Sequence, residues 1–220
     1  MFSSTGTPDL VDVAQKLSAE PKLNPFRLVG GTAIALQLGH RKSIDIDFFT
    51  NKEVSKKEVS ERISSIFPNE QLYVTTEKIS AAINGVRVEL YDDWSTPFLD
   101  EPIVDEGIRM ATLKDLAAFK LDAIVGRREK KDYVDLYVLF QALGVTNILK
   151  DFKLYNPNVS PKSILFALGE VNEARFNKSV MPEMVAKISW DEVEKSMVSA
   201  AREFMAISEH KVTRSKGRGI

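Results

Sequence analysis

The clearest strand pattern in the chain carries two aspartates, Asp45 and Asp47, separated by one residue. Residues two apart in a strand point to the same face, so we expect both carboxylates on one face and Ile44, Ile46 and Phe48 on a core face. Two anions whose Cα atoms lie about 6.5–7 Å apart repel each other unless a cation or hydrogen-bond donors lie between them. A Mg²⁺ ion held by one or two carboxylates and by substrate phosphates meets that demand. A solvated strand face is the alternative.

A glycine pair, Gly30-Gly31, falls between a predicted strand at 26–29 and a predicted helix at 32–38. Backbone amides at a helix N-terminus can bind a phosphate, and glycine lets the ligand approach because it has no Cβ. A tight strand-to-helix turn without a ligand is the alternative. Together with the aspartate strand that follows, the pair indicates a phosphate site beside a metal site.

A third acid, Glu89, lies on a predicted strand at 86–90, which Asn84-Gly85 joins to a predicted strand at 79–83. A two-residue Asn-Gly joint is typical of a type I′ hairpin. Glu89 shares its strand face with Arg87. If this strand lies beside the aspartate strand, Glu89 completes a cluster of three carboxylates for metal ions; otherwise it is one acid on an exposed face.

The amino-acid composition excludes several kinds of metal site and all disulfides. The chain has 220 residues and no cysteine, which excludes disulfides, thiolate zinc sites and iron–sulfur clusters. With two histidines, any divalent ion is expected to be a hard one bound by carboxylates. The net charge of −1 gives no overall attraction to nucleic acid. No apolar run approaches the ~18 residues of a membrane span, and the start lacks a secretion signal, so we expect a cytoplasmic protein without a membrane partner.

The predicted secondary structure changes near residue 110. The pattern before that point mixes strands and helices, and the pattern after Thr112 is helical, which predicts an α+β fold followed by an all-α region. We predict an α/β core at 1–110, a helical C-terminal region at 111–209, and a basic flexible tail at 210–220.

Two stretches resemble a known family. The run GGTAIALQLGHRKSIDIDFF at 30–49 resembles the first motif of the AbiEii/AbiGii toxin family. The runs FKLDAI at 119–124 and RREKKDYVDLY at 127–137 resemble its Lys and Lys-Asp-x-x-Asp-Leu motifs. Members are minimal nucleotidyltransferases of the DNA polymerase beta superfamily, found in abortive-infection and toxin–antitoxin systems. The resemblance covers 20–143.

The resemblance implies a mixed sheet with flanking helices and a reaction that moves a nucleoside monophosphate from an NTP to an acceptor hydroxyl, with Mg²⁺ or Mn²⁺ as cofactor. The implied metal ligands are Asp45, Asp47 and Glu89. The implied catalytic residues are Asp45, Asp47, Lys120 and Asp135. The implied nucleotide- and phosphate-binding residues are Gly30, Gly31, Thr32, Arg41, Ser43 and Asp132.

Lys120 lies on the apolar stripe of its predicted helix. Either its methylene chain lies along the apolar surface and its ammonium reaches water, or the ammonium binds an anion at the edge of the core, such as a triphosphate. Asp132 and Asp135 share one helical face and could instead pair with Arg128 or Lys131. Of the two acids, we slightly prefer Asp135 as the one that faces the nucleotide.

Four cations occur within the five residues 127–131. Such a run is either a solvated helix end or a contact for the phosphates of an RNA acceptor. The implied partners are therefore an NTP, an RNA acceptor such as tRNA, and an antitoxin protein. A nucleotide-binding or interaction module on the same fold, without turnover, is the alternative function.

Overall fold

The computed structural model describes residues 1–93 and 97–216, of which 207–216 are described by backbone alone. The chain forms two compact units. The first contains Met1–Leu116 and Pro182–Ala186, and the second contains Ala117–Met181 and Lys187–Ile220. The observed division thus falls a few residues after the predicted one at residue 110, and a short later segment returns to the first unit.

The first unit contains a seven-stranded sheet and three α-helices. Two short 3₁₀ helices lie at Ser3–Thr5 and Pro21–Leu23. The helices are α1 Pro8–Ala19, α2 Gly30–Leu38 and α3 Lys56–Ile66. The strands are β1 Arg27–Val29, β2 Asp45–Thr50, β3 Leu72–Val74, β4 Lys78–Ile83, β5 Val86–Asp92, β6 Ile103–Asp105 and β7 Ile108–Met110.

The sheet is mixed. Its strand order is β3-β4-β5-β2-β1-β7-β6, in which β2–β5 and β1–β7 are parallel and the other neighbours are antiparallel. Helices α1, α2 and α3 pack against it. This architecture confirms the predicted α+β class.

Strand β2 alternates as its sequence predicts. Ile46 and Phe48 are buried, whereas Asp45 and Asp47 are partly exposed. The expectation that Ile44 faces the core is wrong, because that side chain is 70% exposed. Pairing with β5 begins only at Asp45, so Ile44 precedes the strand and is not held to its alternation.

The hairpin between β4 and β5 has the predicted two-residue turn. Asn84 and Gly85 both have positive φ, 51° and 76°, as a type I′ turn requires. A second tight hairpin joins β6 to β7 through Glu106-Gly107, also at positive φ. It was not predicted, since glutamate is an unusual residue in the left-handed region and each strand has only three residues.

The second unit is helical. It contains most of α4 Leu113–Gly126, which begins in the first unit, and α5 Lys130–Leu143, α6 Val145–Tyr155, α7 Pro161–Gly169, α8 Val171–Phe176 and α9 Trp190–Lys216. Helix α9 packs on α5, α6, α7 and α8. Among its described side chains, the buried ones follow helical spacing: Val193, Met197, Ala200 and Phe204.

Helix α9 extends further than the sequence analysis predicts. Its backbone is helical through Lys216, although a flexible tail was expected from His210. No glycine or proline interrupts the chain between Trp190 and Lys216, so nothing in the sequence forces an earlier end. The last four predicted tail residues, 217–220, lie outside the described part of the chain. None of the described helices is both long and apolar enough to cross a membrane.

Candidate active site

The glycine pair begins helix α2 directly beside the aspartate strand. Val29, the last residue of β1, is the antiparallel partner of Asp47. Gly30 follows with φ +69°, and a Cβ at this position would lie 3.0 Å from the Asp47 Oδ2 atom. Among the described residues no side chain caps the N-terminus of α2. Glycine is therefore required by both the backbone conformation and the close approach to a carboxylate.

The parallel pairing of β2 with β5 brings the three predicted acids onto one sheet face. Asp47 is the register partner of Glu89, and Asp45 is the partner of Arg87. The condition that the sequence left open, that the Glu89 strand lies beside the aspartate strand, is met in the structure.

Each outer acid of this face is bound by a cation of the sheet. The Arg87 guanidinium donates from Nε to Asp45 Oδ1 at 3.2 Å and from its terminal nitrogen to Oδ2 at 3.1 Å. Glu89 accepts from the Lys78 ammonium at one carboxylate oxygen and from the Tyr91 hydroxyl at the other, at 2.6 Å. The carboxylates therefore face donors as well as each other.

These contacts keep Glu89 ionised. Burial by itself raises the pKa of Glu89, but the hydrogen bonds from Lys78 and Tyr91 outweigh it and lower the pKa. Glu89 in turn raises the pKa of the Lys78 ammonium through their hydrogen bond. The pair is thus a charged one at neutral pH.

Of the three predicted carboxylate ligands, two suit a hard divalent ion. Among the described residues, no three His, Cys, Asp or Glu side chains are arranged to hold a metal ion together. Asp45 and Asp47 nevertheless offer carboxylate oxygens on one strand face, and Mg²⁺ commonly takes one or two carboxylates and completes its shell with phosphate and water. The third-ligand role of Glu89 stays a prediction, because its oxygens bind Lys78 and Tyr91.

Thr32 and Ser43 connect α2 to the start of β2. The Thr32 hydroxyl donates to the main-chain carbonyl of Asp45, and its oxygen lies 2.7 Å from Ser43 Oγ. Because the single Thr32 proton goes to Asp45, Ser43 is the donor of the second bond. Both hydroxyls therefore help to fix Asp45, and their predicted contact with phosphate stays a prediction.

The loop before β2 is covered by the returning segment Pro182–Ala186 of the same unit. The Lys42 amide donates to Glu183 O at 2.8 Å, and the Val185 amide donates to His40 O at 3.0 Å. Arg41 is buried and donates to the Lys42 carbonyl at 2.9 Å. No local pattern in the sequence reveals this long-range pairing. The phosphate-binding role of Arg41 is untested by this geometry.

The second group of predicted residues forms a buried ion cluster within the second unit. The Lys120 ammonium lies 2.7 Å from Asp132 Oδ1 and 2.8 Å from Asp135 Oδ2. Both carboxylates are fully buried, and Lys120 is 6% exposed. Arg127 adds two hydrogen bonds to Asp132, at 2.8 and 3.1 Å. Two cations thus face two anions, joining α4 to α5.

The cluster settles which anion Lys120 meets in the structure: the two aspartates. It also shows that Asp132 pairs with Arg127, where the sequence analysis suggested Arg128 or Lys131. A contact of Lys120, Asp132 or Asp135 with the nucleotide stays a prediction.

Electrostatics of the cluster favour the charged forms. Burial lowers the pKa of Lys120, but Asp135 and Asp132 outweigh it and the net shift is upward. Burial raises the pKa of Asp132, but Lys120 and Arg127 outweigh it and the net shift is downward. Each ion is therefore stable only because its partners are present.

Comparison with known proteins agrees with the fold and identifies a family. Residues 12–91 match the model of the family described as nucleotidyl transferase AbiEii toxin, type IV TA system. An uncharacterized protein of Aquifex aeolicus (strain VF5) is 30% identical over 190 residues, which cover 83% of this chain and 89% of that protein. The chain belongs to the AbiEii nucleotidyltransferase family.

Solved structures of low sequence identity share the fold. JHP933 from Helicobacter pylori superposes with a TM-score of 0.55 at 18% identity, over 94% of each chain. ANT(2")-Ia, solved in complex with adenylyl-2"-tobramycin, gives a TM-score of 0.53 at 17% identity, over 70% of this chain and 100% of that one. At these identities the likeness concerns the fold alone.

Two residues of the site, Lys78 and Tyr91, were missed by the sequence analysis. The Asn84-Gly85 turn contains the signal that could have found them. A two-residue turn places Ile83 opposite Val86, and counting outward places Lys78 opposite Tyr91, diagonal to Glu89. Register counting from the turn would thus have predicted a cation beside the third acid.

The close approach at Gly30 makes a stability prediction. We expect Gly30→Ala to cost about 1–2 kcal/mol for the positive φ and about 1 kcal/mol more for the crowding against the Asp47 carboxylate. The matched control is Gly85→Ala, which has φ +76° and no atom within 4 Å of the added Cβ. Urea denaturation of both variants measures the difference. Equal losses would show that the carboxylate does not constrain this position.

The buried cluster makes a second prediction. We expect Lys120→Met to lower the free energy of unfolding by about 3–5 kcal/mol at pH 7, because it leaves buried carboxylates without their cation. The control Lys16→Met removes an exposed partner of Asp12 and should change stability by less than about 1 kcal/mol. A Lys120→Met protein as stable as wild type would contradict the structural role.

The loss should also depend on pH. In the wild type the lowered pKa of Asp132 gives stability that is full above its unfolded pKa, about 3.9, and that is lost as pH falls through the folded pKa. Without Lys120, protonation relieves the excess negative charge that the lysine had balanced. The gap between wild type and variant should therefore be smaller at pH 4 than at pH 7, measured by thermal unfolding. A constant gap would exclude the aspartates as its cause.

Proposed function

We propose that this protein transfers a nucleoside monophosphate from an NTP to an acceptor hydroxyl, with Mg²⁺ or Mn²⁺ as cofactor. The observation that carries the proposal is the position of Asp45 and Asp47 on one strand face, with Asp47 in contact range of the glycine that begins α2. Membership of the AbiEii nucleotidyltransferase family supports the reaction class.

In this proposal Asp45 and Asp47 hold the divalent ion and Glu89 takes the third position. Such an ion, when bound, neutralises the triphosphate and lowers the pKa of the attacking hydroxyl. On binding the ion, Asp45 would release Arg87 and Glu89 would release Lys78. Asp45 and Arg87 are 34% and 59% exposed, so exchange of that pair is inexpensive compared with breaking a buried pair. Glu89 is only 12% exposed, so its exchange costs more.

The amides that begin helix α2, at Gly30 and Gly31, are proposed to bind a phosphate of the NTP. The helix dipole and uncapped N–H groups favour an anion there. The acceptor oxygen then forms a bond to the α-phosphorus and the bond to the bridging oxygen breaks. Pyrophosphate leaves, and the proton of the acceptor hydroxyl passes to solvent water.

The remaining predicted residues are given supporting roles. Thr32 and Ser43 fix the main chain of Asp45, and Arg41 belongs to the loop that Pro182–Ala186 covers. We propose that Lys120, Asp132 and Asp135 act mainly through the position of α4 on α5, because both carboxylates already bind the Lys120 ammonium.

We further propose RNA, tRNA included, as the acceptor and a cytoplasmic toxin as the biological role, with an antitoxin protein as partner. The family description, a toxin of type IV toxin–antitoxin systems, supports this role. Within the basic run at 127–131, Arg128, which has no acidic partner among the described residues, supports a polyanionic acceptor.

Label transfer tests the reaction. With each α-labelled NTP in turn, total RNA and Mg²⁺ or Mn²⁺, we expect wild type to label RNA and Asp47→Asn to lose at least about 100-fold in rate, since a metal-bound carboxylate supplies several kcal/mol to the transition state. The control Asp12→Asn removes an exposed helix acid that pairs with Lys16 and should label like wild type.

Two outcomes would overturn the proposal. Undiminished labelling by Asp47→Asn would remove the metal role of this residue. A rise in melting temperature with an NTP and Mg²⁺, but no label transfer to RNA in any condition, would favour the nucleotide-binding module without turnover.

A further inference from the structure

The four cations of the basic run at 127–131 have different partners in the structure. Arg127 binds Asp132, Lys131 lies 3.1 Å from Glu129, and Lys130 donates to the Asn177 carbonyl at 3.1 Å. Arg128 differs from these three. Among the described residues it has no acidic partner, and its guanidinium lies over the Phe166 ring, 5.1 Å from the centroid.

Arg128 lines an open cleft of about 310 Å³ in the second unit, together with Val125, Lys162, Ser163 and Phe166. Phe166 is 57% exposed, so the face of its ring is accessible from solvent. Lys162 is exposed and has no ion pair within the described part of the chain. The lining thus combines two cations and an aromatic face with no acid.

The backbone holds Arg128 in place at the cleft. Its φ is +52°, a conformation that a non-glycine residue rarely adopts. Its carbonyl accepts a hydrogen bond from Asn177 Nδ2 at 2.9 Å, which helps to hold that conformation. Its Nε is buried and has no partner among the described residues. Strained residues that their surroundings hold in place are concentrated at ligand sites.

We propose that this cleft binds a segment of single-stranded RNA. A base would stack on the Phe166–Arg128 pair, and the neighbouring phosphates would meet Lys162, Arg128 and the Ser163 hydroxyl. The lining contains no side-chain amide or carboxylate that could read the edge of a base. Binding would therefore tolerate different sequences, as strand-tracking surfaces do. The choice of RNA over DNA rests on the proposed function; the cleft chemistry does not.

Fluorescence anisotropy of a 5′-labelled, unstructured 12-nucleotide RNA tests the site. The full chain is titrated at low salt without NTP or metal. We expect Phe166→Ala to weaken binding about tenfold, because a stacking surface is lost. We expect Lys162→Gln to weaken it two- to fivefold and to reduce the slope of log affinity against log salt by about 1, because one phosphate contact is lost.

Matched controls lie on the same unit. Phe176 is 83% exposed on α8 and does not line the cleft, and Lys153 is an exposed cation on α6 outside it. Phe176→Ala and Lys153→Gln should bind RNA like wild type. Because both phenylalanine rings are mainly exposed, melting temperatures of the variants should match wild type, and this is checked first.

Three outcomes would overturn the inference. The first is wild-type affinity in both cleft variants, and the second is an equal loss in the control variants. The third is binding of free uridine monophosphate as tight as that of the RNA, which would make the cleft a mononucleotide site. RNA binding that depends on Phe166 in a protein without label transfer would uphold the cleft and reject the proposed reaction, so the two failures are distinguishable.

Discussion

Mutual repulsion among three carboxylates is the constraint that cations of the sheet must offset in the first unit. Parallel pairing of β2 with β5 places Asp45, Asp47 and Glu89 on one face, where like charges destabilise the sheet. Cations at neighbouring strand positions reduce this repulsion: Arg87 binds Asp45, and Lys78 binds Glu89. A metal ion bound here, as proposed, would have to compete with Arg87 and Lys78 for the carboxylates.

The Asp45–Arg87 pair and the Lys120 cluster differ in burial, and burial decides what each can do. Asp45 and Arg87 are 34% and 59% exposed, so their pairing is screened by water and is easily exchanged. The partners of Lys120 are fully buried, so breaking that cluster leaves a desolvated charge without compensation. An exchangeable pair suits a ligand site, whereas the buried cluster suits the permanent joining of α4 to α5.

Local patterns predicted the parts of the site that depend on neighbours in sequence. The alternation around Ile46 and the Asn84-Gly85 turn were sufficient for β2 and for the β4–β5 hairpin. Partners distant in sequence could not be derived in this way. Nothing local indicates that Pro182–Ala186 returns to pair beside His40. Arg127 and Asp132 are only five residues apart, but the spacing of a continuous helix does not predict that Asp132 takes Arg127 as partner. The latter choice depends on the turn at Arg128, whose positive φ interrupts the helical path between α4 and α5.

The turn at Arg128 also matters because the net charge of the protein is close to zero. At a net charge of −1 the chain has no long-range field to attract a polyanion, so any nucleic-acid contact must gain its affinity at short range. Most cations of the run at 127–131 are neutralised by carboxylates or held by a carbonyl. The left-handed residue Arg128 is turned instead toward an exposed aromatic ring, where a guanidinium and a π-face act together. The recognition chemistry of this surface therefore comes from stacking and a few local charges.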